Sequence, residues 1–266
     1  MTHAATHLEA IVCDVRLRLA ERRATTSARE LERRVRPDPA RRRRFLEALR
    51  KGAPALIAEC KRRSPSRGTF TDADKDWRAR AQAYARGGAA ALSVLTERDH
   101  FGGALEHLDQ AREAGLPLLR KDFVIDTSMV HEAWLHGADA VLLLPSILDP
   151  AGLKQLFECA SACGLASLIE VHDERELDLA LSLAPDVIGV NARDLATFEV
   201  DLTRVERLLP LIPDPIVRVA ESGIHGPSEL RRVRDAGAQA ALVGETLMRS
   251  SDPAATLRAW REALDG

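Results

Sequence analysis

Residues 114–123 read Ala-Gly-Leu-Pro-Leu-Leu-Arg-Lys-Asp-Phe. The opening Ala-Gly-Leu has the form of a helix end turning into a strand, because glycine accepts the backbone conformation that closes a helix. The leucine run Leu116–Leu119 then fits a short buried strand. Gly-Ala-Asp at 137–139 and Ala-Gly-Ala at 236–238 repeat the signal. Around them lie runs of the same kind: Ala55–Cys60, Ala91–Leu95, Ala138–Leu144, Ala166–Val171, Asp186–Val190, Ile216–Ala220 and Ala240–Val243. Together they make eight strands, spaced by roughly 20–36 residues, with helix-periodic segments between them. Strands alternating with helices specify a parallel sheet. Eight units with no spare strand predict an α/β fold closed into a single (β/α)8 TIM barrel. The rival, an open doubly wound sheet, lacks the G-x-G-x-x-G expected after its first strand.

Ahead of the barrel, assigned to 53–266, residues 1–52 form an N-terminal helical extension. Leu8, Ile11, Val12, Val15 and Leu19 recur at helical spacing, with Arg16, Arg18, Arg22 and Arg23 on the other side. A second helix, from about Asp38 to Lys51, offers Phe45, Leu46 and Leu49 to a core and carries the run Arg41–Arg44. That run reads as the solvated face of a helical extension with interspersed acids, and less well as a nucleic-acid contact.

The chain has 266 residues, 45% hydrophobic and 29% charged, which is enough for a core that needs no disulfide or structural metal. A formal net charge of −2 gives no global pull toward nucleic acid or anionic membranes. Residues 1–10 lack the basic-then-apolar pattern of a secretory signal, and no run reaches the ~18 apolar residues of a membrane span. A soluble cytoplasmic protein is expected. Cys159 and Cys163 sit four apart in a helical stretch, but with no second ligand pair or histidine cluster following they read as buried small hydrophobes.

In a barrel of this kind chemistry belongs at the C-terminal ends of the strands. There the sequence departs from packing needs. Strand 1 places Ile57, Glu59 and Lys61 on one face and Ala58 and Cys60 on the other. Alone, the Glu59/Lys61 pair fits a mutually satisfied structural pair as well as a functional one. Strand 3 ends in Arg120-Lys121-Asp122-Phe123, strand 5 in Glu170-Val171-His172 and strand 7 in Glu221-Ser222-Gly223. Ionisable groups at four strand ends, where Val, Ile and Leu would pack better, point to a catalytic mouth. Lysines and glutamates held close also push each other's pKa values apart, giving one donor and one acceptor near neutral pH. Ser64, Ser66 and Gly68 after strand 1, Gly223 after strand 7 and Gly244 after strand 8 suit a phosphate cradle. No metal-ligand set accompanies His172, which reads as a structural hydrogen-bonding residue. Lys61 and Lys121 leave a Schiff-base alternative open.

These segments resemble the indole-3-glycerol phosphate synthase family along the whole chain. The resemblance rests on Leu-Ile-Ala-Glu-Cys-Lys-Arg-Arg-Ser-Pro-Ser-Arg-Gly (56–68), Ser-Val-Leu-Thr-Glu (93–97), Phe-Gly-Gly (101–103) and Leu-Leu-Arg-Lys-Asp-Phe (118–123). It continues through Glu-Val-His (170–172), Gly-Val-Asn-Ala-Arg-Asp-Leu (189–195), Ala-Glu-Ser-Gly-Ile (220–224) and Leu-Val-Gly-Glu-Thr-Leu-Met (242–248). Ala192 stands where many members have a second asparagine, and Glu245 where some have serine.

The resemblance implies a cofactor-free carbon–carbon lyase. It would convert 1-(2-carboxyphenylamino)-1-deoxyribulose 5-phosphate to indole-3-glycerol phosphate in tryptophan biosynthesis, releasing CO₂ and water. Lys121 matches the general acid and Glu170 the general base of the dehydration. Lys61 matches the partner of the substrate carboxylate, with proton donation in dehydration also open to it; which lysine serves which step stays open. Glu59 would orient Lys121 or Lys61 and share base duty. Glu221 and Asn191 would bind the sugar hydroxyls or the lysines, and Arg193 would be a second carboxylate partner. Phe101, Phe123, Leu142 and Leu242 match the aryl slot. Ser64, Gly223 and Gly244, with Ser222 and neighbouring amides, would hold the phosphate. In the family the N-terminal extension caps the barrel and borders the active site. The partners expected are a small phosphorylated substrate, no nucleic acid and no membrane, with the chain a monomer or weak homo-oligomer. The nearest rival is a phosphoribosylanthranilate isomerase-like barrel, which would use a Cys/Asp pair at strands 1 and 5. Here Cys60 faces away from Glu59 and Lys61, and strand 5 ends in Glu170.

Overall fold

A computed structural model describes residues 7–52, 54–64, 68–70, 76–194 and 197–265. Eight parallel strands close into a barrel: β1 (Ala55–Cys60), β2 (Ala91–Leu95), β3 (Leu118–Lys121), β4 (Ala140–Leu143), β5 (Ala166–Val171), β6 (Val187–Asn191), β7 (Val217–Glu221) and β8 (Ala240–Val243). Each strand pairs with its sequence neighbours, and β1 closes the ring by pairing with both β2 and β8. A separate two-residue hairpin, Arg63–Ser64 against Gly68–Thr69, follows β1. Pro65, Ser66 and Arg67, between those two stretches, lie outside the described residues, as do residues 1–6, 53, 71–75, 195–196 and 266.

Three helices precede the barrel: α1 (His7–Thr25), α2 (Ala28–Arg34) and α3 (Pro39–Leu49). The barrel helices are α4 (Trp77–Gly87), α5 (Glu106–Arg112), α6 (Thr127–Leu135), α7 (Pro150–Cys163), α8 (Glu174–Leu181), α9 (Leu202–Leu208), α10 (Pro227–Asp235), α11 (Glu245–Arg249) and α12 (Pro253–Asp265). Aspartates start many of them. Asp76, Asp126, Asp149, Asp173 and Asp201 each accept an otherwise orphan amide of the first turn. Gly115, Gly137 and Gly237, the glycines of the three quoted helix ends, have φ of +72°, +83° and +98°. That is the left-handed region in which a side chain is strained.

Three strands run past the ends that periodicity predicts. β3 includes Arg120 and Lys121, β6 Asn191 and β7 Glu221. Backbone pairing continues there regardless of side-chain polarity, with Leu95 opposite Lys121 and Asn191 opposite Glu221. Polarity ends a hydrophobic pattern but not a hydrogen-bond ladder. The chemistry-bearing residues therefore sit on rigid strand and not in loops.

In the extension, Ile11, Val12, Val15 and Leu19 are buried, as are Phe45, Leu46 and Leu49. The short α2, capped by Ser27, is an element the periodicity does not reveal. The run Arg41–Arg44 is not a solvated face paired with neighbouring acids. Arg44 reaches the buried Asp139 at 2.6 Å, and Arg42 reaches Asp186 at 2.6 Å. Arg41 donates to Trp134 O at 2.6 Å and lies over the Trp134 ring. Only Arg43 keeps to its own helix, beside Glu47 at 3.8 Å. Asp139 and Asp186 immediately precede β4 and β6, so α3 is fastened to the N-terminal end of the barrel. α1 lies at the opposite end. Its Arg18 holds Asp99 at 2.8 Å, its Asp14 holds His100 at 2.8 Å, and its His7 ring packs 5.1 Å from Phe198.

Cys159 and Cys163 also differ from expectation. The imidazole of His131, from α6, stands 3.5 Å from Cys159 Sγ. The pair has a histidine neighbour that sequence distance hides.

Candidate active site

The strand register brings four strand ends to one level. Glu59 on β1 lies opposite Ser93, Lys121 on β3 opposite Leu95, Glu170 on β5 opposite Gly189, and Glu221 on β7 opposite Asn191 and Leu242. A cleft of about 770 Å³ opens over them. It is lined by Glu59, Lys61, Ser64, Phe101, Lys121, Phe123, Leu142, Glu170, Asn191, Arg193 and Ser222. An adjoining lobe of about 480 Å³ adds Glu221, Gly223, Leu242 and Gly244. Apart from Ser66, outside the described residues, and Gly68, exposed on the hairpin after β1, every site residue expected from sequence borders one of these two adjoining spaces. Leu242, expected beside the aryl ring, stands in the lobe with Gly223 and Gly244.

At the centre, Lys121 Nζ donates to Glu170 Oε2 at 2.8 Å and to Glu221 Oε2 at 3.1 Å. Asn191 Nδ2 donates to Glu170 Oε1 at 2.8 Å. Both glutamates are essentially buried. Burial alone would make the Lys121 ammonium easier to deprotonate, but the charges of Glu170, Glu221 and Glu59 outweigh it and hold the pKa well above the ordinary value. Burial likewise works against an ionised Glu170, yet the Lys121 ammonium and His172 hold its carboxyl well below the usual range. Glu221 goes the other way. Burial and the neighbouring Glu170 charge push it up to about 8 against the pull of Lys121. Two like carboxylates around one cation cannot both ionise freely. The ammonium is thus shared by a carboxylate that Lys121 and His172 keep ionised and by Glu221, whose protonated form burial and Glu170 favour.

His172 does more than a structural residue would. It lies 3.4 Å from Glu170 and 3.0 Å from Glu176. Burial opposes its charge, but those two carboxylates raise its pKa to about 10. It is a second cation backing Glu170. The residues missed in the sequence are mostly apolar or backbone-held: Leu95, Leu144 and Phe198 in the cleft, and Ile224 and His225 in the lobe. Phe198 belongs to a loop with no periodic signature, so nothing in its surroundings marks it.

The remaining walls are built locally. Glu97, buried, accepts the amides of Asp99, His100 and Phe101 at 2.7–2.9 Å, which folds the loop after β2 and delivers Phe101 to within 6.0 Å of Phe123. Lys61 and Glu59 form a close ion pair on β1 and its extension. Arg193 donates its amide to Asn191 Oδ1 at 2.9 Å and its side chain to Phe198 O at 3.1 Å. After β7, Ser222 and Gly223 have φ of +66° and +70°. Consecutive left-handed residues turn the backbone sharply where it borders the lobe, a conformation that strains a non-glycine residue.

Gly189 carries no side chain because Glu221 occupies the space. A Cβ there would meet Glu221 Oε1 at 2.1 Å and Leu168 Cδ1 at 3.2 Å. Gly189→Ala is expected to push the Glu221 carboxyl away from Lys121. Overpacking of this kind costs about 1–3 kcal/mol, and misplacing a catalytic partner lowers kcat by roughly 10–100-fold. Urea unfolding and steady-state kinetics on the same preparation measure both.

Comparison with known proteins agrees with this geometry. Residues 8–260 match the family model for indole-3-glycerol phosphate synthase. The chain is 45% identical over 253 residues to the indole-3-glycerol phosphate synthase of Mycolicibacterium smegmatis, covering 94% of this chain and 92% of that protein. It is 46% identical over 255 residues to indole-3-glycerol phosphate synthase 2 of Streptomyces coelicolor, covering 94% and 97%. Among solved structures, tryptophan synthase subunit alpha from Legionella pneumophila superposes with a TM-score of 0.63 at 15% identity, over 85% of this chain and 98% of that one. At that identity the likeness speaks for the barrel alone.

Proposed function

The chain belongs to the indole-3-glycerol phosphate synthase family, and from that premise we propose how its own residues divide the work on 1-(2-carboxyphenylamino)-1-deoxyribulose 5-phosphate. The observation that carries the proposal is the Lys121 ammonium, held between Glu170 and Glu221 and adjoining the Phe101/Phe123 slot.

The aryl ring lies between Phe101, Phe123 and Leu142, and the phosphate lies in the lobe formed by Ser222, Gly223 and Gly244, with Ser64 on the cleft side of it. Anchoring both ends folds the chain so that the ring carbon bearing the carboxylate approaches the C2′ carbonyl. As that carbon–carbon bond forms, the carbonyl electron pair moves onto oxygen, which takes a proton from Lys121. An alkoxide binds a proton more tightly than an amine does, so transfer is favourable even from a strongly held ammonium. Lys61, paired with Glu59, and Arg193 orient the substrate carboxylate. That carboxylate leaves as CO₂, and its bonding pair restores the aromatic ring. The new hydroxyl then takes a proton from Lys61 and departs as water, while Glu170 removes a proton from the newly closed ring. Glu59 keeps Lys61 in place, Asn191 fixes the Glu170 carboxylate, and Glu221 tunes Lys121. Residues 1–52 act as a capping extension to the barrel over 53–266.

Among the described residues no helix is long and apolar enough to cross a membrane. A cytoplasmic monomer or weak homo-oligomer is the reading we favour. We also favour one without a nucleic-acid partner, since Arg41, Arg42 and Arg44 are engaged by the barrel and the net charge is −2.

The test is to mix purified protein with the carboxyphenylamino substrate and follow indole fluorescence. Product formation is expected. Turnover of phosphoribosylanthranilate in its place would reverse the assignment.

The Glu221 shift has a sign that can be checked. Above about pH 8 this group ionises and adds a second full charge beside Lys121, tightening its hold on the proton. An alkaline fall in kcat/KM with a midpoint near 8 is expected in the wild type and absent in Glu221→Gln. Stability follows the same titration. The folded state keeps a proton that the unfolded chain releases at its ordinary value of 4.5, so this group's contribution declines between about 4.5 and 8 as pH rises.

A further inference from the structure

Outside the substrate cleft, α6 and α7 pack side by side on the outer face of the barrel. Cys159 and Cys163 are four residues apart on α7, a spacing that puts both sulfurs on one helix face. His131 projects from α6 toward them, its Nε2 3.5 Å from Cys159 Sγ. One ligand atom from each of the three residues lies within 4.8 Å of the other two. His131 and Cys163 are buried, at 8% and 5% exposure. His131 Nδ1 is buried without a hydrogen-bond partner. A helix interface that needed only packing would be better served by leucine and alanine than by an imidazole with an unsatisfied nitrogen. Among the described residues, neither Cys13 nor Cys60 belongs to a group of three or more possible metal ligands.

We propose that His131, Cys159 and Cys163 form a binding site for a soft divalent cation of the zinc class, which joins α6 to α7 at a distance from the catalytic cleft. The donor set is two thiols and one imidazole. Such a set selects zinc over magnesium or calcium, whose preferred donors are oxygens. Three protein ligands leave a fourth tetrahedral position for water or for a further donor. From the extension, the charge of Glu32 on α2 acts on both thiols. Binding releases the thiol protons, so affinity rises with pH.

Cobalt(II) is the probe, because thiolate-to-cobalt charge transfer and tetrahedral visible bands report both ligand type and geometry. The full chain, reduced and stripped with a chelator, is titrated with cobalt and then back-titrated with zinc. A single cobalt per chain with thiolate bands, displaced by zinc, is expected for wild type and for Cys13→Ser. The bands should be lost in Cys159→Ser/Cys163→Ser and weakened at least tenfold in affinity in His131→Ala. Zinc at about a hundredfold above its Kd should raise the wild-type Tm by roughly 5–10 °C and leave that of the double variant unchanged. Since none of the three residues adjoins the cleft, turnover of the folded variants should match wild type. The proposal is overturned if no thiolate band forms, if the double variant keeps it, or if mild oxidation of the apo chain links Cys159 to Cys163 while cobalt binds only at millimolar concentration.

Discussion

Replacing Lys121 with alanine is expected to lower kcat by roughly 10²–10⁴-fold, the usual weight of a positioned proton donor. KM should change far less, because ring and phosphate are gripped elsewhere. The variant also removes the cation that Glu170 and Glu221 share at 2.8 and 3.1 Å. Glu221 then loses its cation and Glu170 keeps only His172, so both take up protons more readily. The acid limb of the stability profile should therefore move to higher pH. Wild-type Glu170, held well below its ordinary value, contributes stability that is present above 4.5 and lost as pH falls through its folded pKa. In Lys121→Ala that loss should begin at higher pH, because the folded carboxyl is held less far below its ordinary value. Chemical denaturation at two pH values, alongside indole fluorescence, separates a lost acid from a damaged fold. A kcat within threefold of wild type in a folded Lys121→Ala would move the acid to another residue.

Glu170→Gln is the second large effect. The substitution keeps the shape and the contact with Asn191 but removes the base, so dehydration should slow by about 10²–10⁴-fold. Ring closure and decarboxylation rely on Lys121 and should proceed. A stoichiometric burst of CO₂ without a matching rise in indole fluorescence is the expected signature. Equal loss of both signals would show that Glu170 acts earlier. The change also strips His172 of one of the two carboxylates that raise it to about 10, so its pKa should fall toward the ordinary range, observable by NMR titration.

The sequence carries the barrel because its units reuse one local logic: an aspartate opens α4, α6, α7, α8 and α9, a left-handed glycine ends α4, α5, α6, α7 and α10, and an apolar run follows. Lys121, Glu170 and Glu221 could be singled out because a charge at the end of a buried strand contradicts packing. What escaped notice depends on distance along the chain. Phe198 reaches the cleft from an irregular loop. His131 meets Cys159 across 28 residues. The Arg41–Arg44 run finds its partners, Asp139 and Asp186, about a hundred residues downstream or more. The tuning role of His172 is likewise invisible until Glu170 and Glu176 are seen on both sides of it.

A rod laid across a doorway makes the two jambs move together. α1, with 19 residues, is about 28 Å of stiff helix. Its start packs on Phe198 and its middle grips Asp99 and His100, on loops that leave different strands. An outward swing of either rim therefore breaks contacts with the helix: the His7–Phe198 packing on one side, the Arg18–Asp99 and Asp14–His100 pairs on the other.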